Sequence, residues 1–144
     1  MGIEENKAAI RRMVVEVFNE GNLLLISEFY DFDFIWHSRG GVEIKGHEGV
    51  KQFITAYRNA FPDLTVTIND LVGEGDKVVI YYTISGTHTG QLGNITPTGK
   101  KVSFEAFNII SFVDGKQVES WGWSQYFDLF QQLGIIPSIQ ELGK

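Results

Sequence analysis

Between residues 100 and 126 apolar and polar side chains alternate with period two, in two runs that meet at Asp114-Gly115. Such alternation around an Asp-Gly pair predicts a β-hairpin, because that dipeptide accepts the left-handed backbone of a two-residue turn. In the first run Val102, Phe104, Ala106, Asn108, Ile110 and Phe112 share one face, and Ser103, Glu105, Phe107, Ile109, Ser111 and Val113 the other. The more apolar face is expected to be buried, which carries Asn108 into the interior. A buried amide without partners costs about 1–3 kcal/mol, so Asn108 predicts a hydrogen-bonding neighbour or a ligand.

Upstream, Ile10, Met13, Val14, Val17 and Phe18 recur at helical spacing over Glu4 to Glu20, with acids in the first turn and Gly21 as the stop. Leu23 to Tyr30 reads as a shorter helix. Asp31 to Ser38 reads as an aromatic strand ended by Arg39-Gly40-Gly41. Gly46 to Phe61 returns to helical spacing through Val50, Phe53, Ile54 and Tyr57, and Pro62 ends it. Leu64, Val66 and Ile68 then alternate with threonines. Gly73 to Asp76 turns the chain into a strand over Lys77 to His88, with Val78, Ile80, Tyr82 and Ile84 on one face, and Thr89 to Gly99 is a loop.

In the last strand Val118, Ser120, Gly122 and Ser124 form a small face, and Glu119, Trp121, Trp123 and Gln125 a bulky one, before a helical turn over Phe127 to Leu133. Helices followed by antiparallel strands are the α+β order. The expectation is N-terminal helices on a curved, mainly antiparallel sheet, enclosing a cone-shaped pocket for a small ligand. With the small face inward beside Asn108, Trp121 and Trp123 lie outside with Phe107 and Ile109. That much exposed aromatic surface predicts pairing with another subunit. The opposite parity would put both Trp in the interior.

At 144 residues the chain is expected to form a single domain, residues 1–144. It has no cysteine, which excludes disulfides and thiolate chemistry and fits a cytoplasmic protein. The net charge is −6 without a basic stripe, so no nucleic acid is expected. No apolar run approaches a membrane span or a signal peptide. His37, His47 and His88 lack the paired spacing of metal ligands, and neither a nucleophile elbow nor a phosphate loop is present.

FPDLTVTINDLVGEGDKVV, GTHTGQLGNITPTGKKV, NIISFVDGKQVESW and the closing QQLG, in that order and spacing, resemble the SnoaL-like polyketide cyclases, or ester cyclases. These belong to the nuclear transport factor 2-like, ketosteroid isomerase-like superfamily, and the resemblance runs from about Asn6 to Gly134. It implies a cone-shaped (cystatin-like) domain, a homodimer or tetramer through the outer sheet face, and a small polycyclic or other apolar ligand, with no cofactor and no metal. It also implies ring closure by proton transfer at a carbon next to a carbonyl, using a carboxylate on the last strand and a hydrogen-bonding partner on the strand before. By strand position the partner is Asn108, but the carboxylate's place falls on Gly122.

The resemblance makes His37, at the end of the aromatic strand, the candidate base, since imidazole titrates near neutrality. His88 would line the mouth of the pocket, and Phe18, Phe53, Tyr57, Tyr82 and Ser120 its walls. Glu105 and Glu119 fall on the outward faces of their strands. The expected function is therefore a polyketide cyclase or related cofactor-free lyase or isomerase, with His37 and Asn108 as catalytic residues. Two alternatives are a binding protein that kept the pocket and lost the carboxylate, and an interaction module with a filled pocket.

Overall fold

The structure, a computed structural model of the protein, describes residues 2–38 and 42–137. Helix α1 (Ile3–Met13) buries Asn6, Ile10 and Met13. The spacing predicts one regular helix to Glu20, but the chain widens into a π-helical stretch, Val14–Asn19, with the Glu20 N–H bonded 2.9 Å from the Val15 carbonyl. Gly21 ends it at φ +74°. Arg58 Nη1 donates to the carbonyls of Phe18 and Asn19, each at 2.8 Å, so a cation covers the negative end of the helix. A Cβ on Gly21 would lie 2.7 Å from Arg58 Nε. The glycine thus serves both the turn and the close approach.

Leu23–Leu25 forms a 3-10 turn and α2 (Ile26–Phe29) follows. Tyr30, expected in that helix, opens β1 (Tyr30–His37) instead and meets Phe34 edge-on at 4.7 Å. The predicted stop at Arg39 to Gly41 lies outside the described residues. A short β2 (Glu43–Lys45), which the pattern does not announce, leads into α3 (Gly46–Ala60), where Val50, Ile54 and Ala60 are buried. Then come β3 (Thr65–Glu74), β4 (Lys77–Thr87), β5 (Lys101–Val113), β6 (Lys116–Ser124) and α4 (Tyr126–Gln132). At the β5–β6 turn Asp114 has φ 50° and Gly115 φ 81°, the two left-handed residues that the Asp-Gly signal implies.

The strands form one curved sheet in the order β2-β1-β6-β5-β4-β3. Its pairs are antiparallel except β1 with β6, which run parallel. The helices pack on one face in an α+β arrangement. There Ile10, Val14, Val17, Phe34, Val50, Ile54, Ile80 and Ile110 form the main core, and Phe61, Val102, Phe104, Leu129 and Leu133 close the α4 end. The whole predicted face of β5 points inward, Asn108 included.

In β6 the register differs from the expected alternation. A bulge between the Ser111 and Phe112 pairings sets Phe112 opposite Gln117, so Gln117 faces inward with Ser120 and Gly122, and Val118 does not. One extra residue in a strand reverses the parity of everything before it. No helix of the described residues is long and apolar enough to cross a membrane.

Strand β3 is an edge, and its exposed backbone finds a partner in Asn19. That amide accepts from the Val66 N–H at 2.7 Å and donates to the Val66 carbonyl at 3.0 Å, acting as a one-residue continuation of the sheet. Asn19→Ala should lower stability by about 1–3 kcal/mol, the cost of stranding partly buried backbone groups. Urea unfolding followed by circular dichroism would measure the loss.

Candidate functional site

The alternation of β4, β5 and β6 and the inward stripes of the helices converge on a cavity of about 70 Å³. Helix residues Met13, Val14, Phe18, Phe53, Ile54 and Tyr57 roof it. The sheet supplies Tyr30, Phe34, Trp36, Tyr82, Asn108, Gln117 and Ser120. Most of the wall is apolar. At its polar end Asn108 lies opposite Gly122 on β6 and Ile80 on β4, 6 % exposed.

The amide of Asn108 has four polar neighbours: Tyr82 Oη at 2.7 Å, Ser120 Oγ at 2.9 Å, Trp36 Nε1 at 3.1 Å and the Phe107 carbonyl at 3.1 Å. Two of them admit only one role: an indole N–H can only donate, and a carbonyl can only accept. The amide oxygen therefore faces Trp36 and Ser120, and the amide nitrogen donates to Phe107 and Tyr82, an arrangement that satisfies both ends. Because Tyr82 Oη then accepts from Asn108, its own proton is not used there. It is free to serve an acceptor inside the cavity.

Gly122 makes this cluster possible. A Cβ on it would lie 2.6 Å from Trp36 Nε1 and 2.9 Å from the Asn108 amide. Where the sequence resemblance would put a carboxylate, this chain has an indole and an amide in contact.

Of the eight residues singled out from the sequence, six line the cavity: Phe18, Phe53, Tyr57, Tyr82, Asn108 and Ser120. The two histidines do not. His37 lies on the opposite face of the sheet, since Trp36 pairs with Ser120 inside and His37, one residue on, pairs with Trp121 outside. Its Nε2 is 2.7 Å from Glu119 Oε2, its Nδ1 is 3.0 Å from Glu43 Oε2, and its ring stacks on Trp121 at 5.4 Å. This corrects its assignment as a base beside Asn108: successive strand residues face opposite sides.

His88 is corrected as well. It is fully buried and packs on Phe61 at 5.5 Å, with Nδ1 accepting from the Thr98 N–H at 3.2 Å. The loop that was to form the mouth folds back on α3, where the N–H groups of Thr89 and Gly90 bond the Ala60 carbonyl. A histidine held there is a packing residue, away from the cavity.

Sequence reasoning passed over Trp36 and Gln117. Trp36 follows Phe34 at period two, a signal that was available. The bulge that turns Gln117 inward leaves no local mark in the sequence.

Among the described residues, no Asp, Glu, Lys, Arg or His lines the cavity, and no group of three or more His, Cys, Asp or Glu could hold a metal. Its titratable groups are tyrosines. Burial pushes the phenols of Tyr30, Tyr57 and Tyr82 well above their usual range, because a phenolate would lose its hydration there. They are donors at neutral pH, and none is a base. What the arrangement can do is offer hydrogen bonds to an oxygen in an apolar enclosure, where they act more strongly than in water.

The profile of the SnoaL-like polyketide cyclases matches residues 8–133. An aklanonic acid methyl ester cyclase of Streptomyces peucetius, DnrD, is 28% identical over 131 residues, covering 87% of this chain and 88% of that protein. The crystal structure of AclR, a putative hydroxylase from Streptomyces galilaeus, superposes with a TM-score of 0.85 at 29% identity, over 99% of this chain and 88% of that one. IdmH, a putative polyketide cyclase from Streptomyces antibioticus, gives 0.79 at 28% identity, over 90% and 98%.

The buried phenols give a pH signature. Below about pH 10 tyrosine is neutral in folded and unfolded chains alike. Above it the unfolded chain releases protons that the folded chain keeps, so stability falls as pH rises, by about 1.4 kcal/mol per pH unit for each buried tyrosine. Tyr30→Phe should reduce that slope by one such increment, as measured by urea unfolding at about pH 10 to 12.

Proposed function

Because the chain belongs to the SnoaL-like polyketide cyclase family, we propose that it takes an apolar carbonyl compound into the cavity and promotes bond formation next to the carbonyl. Tyr82 gives a hydrogen bond through its free O–H to the carbonyl oxygen and keeps its proton throughout. Asn108 holds the tyrosine hydroxyl in that orientation, and Trp36 and Ser120 hold Asn108. The single observation supporting this is the Asn108 cluster at the end of an apolar cavity that, among the described residues, carries no base.

That chemistry suits a substrate which brings its own nucleophile. A carbon between two carbonyls exists in part as its enol. When the enol carbon attacks a second carbonyl in the same molecule, a carbon–carbon bond forms, the carbon–oxygen π bond opens, and the enol proton ends on the new alkoxide. No side chain has to accept a proton; hydrogen bonds to the attacked carbonyl lower the barrier as charge builds on its oxygen. Relatives of the chain are named as cyclases of aklanonic acid methyl ester, which accords with ring closure.

A second reading, binding without turnover, is favoured by the same absence of carboxylate and imidazole from the cavity wall. Turnover of a 1,3-dicarbonyl polyketide analogue separates the two. Under the cyclase reading Tyr82→Phe should lower kcat/KM by about 10²-fold, as for loss of one preorganised donor. His37→Ala should leave it unchanged, and the pH–rate profile should show no ionisation between about pH 5.5 and 8. A profile that follows a group near pH 6.5 and vanishes in His37→Ala would overturn this assignment.

We also propose that the outer sheet face packs against a second copy of the chain. Tyr81, Phe107 and Trp123 line up across three strands, with Phe107 and Trp123 stacked at 5.3 Å and Phe107 still 45% exposed. Light scattering should give at least a dimer, and Trp123→Glu a monomer that keeps its circular dichroism spectrum. A native chain that runs as a monomer at high concentration would refute the proposal.

A further inference from the structure

We infer that the cavity is the inner half of a larger ligand site, and that Phe53 and Tyr126 form a movable partition between it and an outer groove. The inference rests on the carbonyl-binding reading above and adds the size and shape of the ligand. A cavity of about 70 Å³ is too small for even one aromatic ring, since an engineered apolar cavity of about 150 Å³ takes up a single benzene. A ligand with fused rings needs further space.

That space lies beside the cavity. A solvent-open groove of about 750 Å³ runs along β2 and the start of α3, lined by Glu43, Ile44, Lys45, Glu48 and Gln52. Phe53 and Tyr126 line both it and the cavity. Displacing these two rings would join the two volumes.

The partition is built so that its rings can move and its backbone need not. Phe53 rests on Trp36 and on Tyr57, with ring centroids 4.6 Å apart in each case. Tyr57 Oη donates to Tyr126 Oη at 3.2 Å, a long hydrogen bond that water in the groove can replace. The neighbouring Gln125 is anchored at both ends: its N–H bonds the Glu105 carbonyl at 2.8 Å, and its side-chain oxygen accepts from the Glu105 N–H at 3.1 Å. The backbone before Tyr126 is thereby held, and the motion falls to the Phe53 and Tyr126 side chains.

The joined site has an apolar inner end with hydrogen-bond donors for a carbonyl and an outer end with charged and amide side chains. It fits an elongated, fused-ring ketone that carries polar substituents at its far end. The tyrosine–tyrosine hydrogen bond is the latch that such a ligand must open to enter.

Stopped-flow tryptophan fluorescence with anthrone, a three-ring ketone, tests this. In the native protein the observed rate should level off with rising anthrone concentration, because opening precedes entry. Tyr126→Phe keeps the ring but removes the latch, and should raise the plateau roughly two- to tenfold, the factor that one neutral hydrogen bond is worth. Phe53→Leu should raise it too, which covers the case of a poorly folded Tyr126 variant. A rate that stays linear in concentration, or a plateau unchanged in both variants, overturns the partition. Anthrone affinity unchanged by Tyr82→Phe and Asn108→Ala would overturn the carbonyl-binding reading and leave the partition standing. No anthrone binding by the native protein, Tyr126→Phe or Phe53→Leu overturns both.

Discussion

A side-chain amide buried in an apolar interior must have its donors and acceptors satisfied, and the inner half of this protein is arranged around meeting that demand for Asn108. Four groups from four strands do so: the indole of Trp36, the hydroxyl of Tyr82, the hydroxyl of Ser120 and the carbonyl of its neighbour Phe107. The chemistry of two of those groups dictates the orientation of the amide. From that orientation it follows that Tyr82 accepts a hydrogen bond and retains a proton to give. A donor held in place without a charged partner suits an apolar ligand, because an uncompensated charge would be costly to bury.

The sheet serves this centre through parity. Period-two alternation sends Asn108, Tyr82, Ser120 and Trp36 to the helix side and Phe107, Tyr81, Trp123 and His37 to the other, so adjacent residues divide between the cavity and the outer face. Gly122 adds what alternation alone cannot provide. Its missing side chain is the space in which Trp36 and Asn108 meet. Any larger residue there would push apart the groups that orient the tyrosine. On the outer face His37 joins Glu43 of β2 to Glu119 of β6, and its ring lies on Trp121. It fastens the short edge strand to the sheet.

The relatives include an ester cyclase and a putative hydroxylase, so the fold alone does not specify a reaction. In this chain the cavity wall narrows the choice. Among the described residues it carries no base, on which the proposed use of the substrate's own enol rests, and the tyrosines stay protonated because burial opposes their ionisation. The small inner volume and the larger groove share two aromatic walls. On the proposed partition, size selection falls to Phe53 of α3 and Tyr126 of α4.

The α+β order, the β5–β6 hairpin with its Asp-Gly turn and the inward path of Asn108 were all legible in the sequence. Each depends on local periodicity or on the backbone preference of one or two residues. The aromatic surface on the outer face was legible for the same reason. The fates of His37 and His88 were not. Likeness to a family position puts His37 beside Asn108, but its side of the sheet depends on how β1 pairs with β6, which involves residues more than eighty positions apart. The local pattern makes His88 a strand-end residue at the mouth, but the loop after it folds onto the end of α3. The bulge that turns Gln117 inward, the opening that Gly122 leaves for Trp36 and the free proton of Tyr82 come from contacts between distant segments. Short-range patterns determine which way a strand faces, and only the packed structure decides which groups meet there.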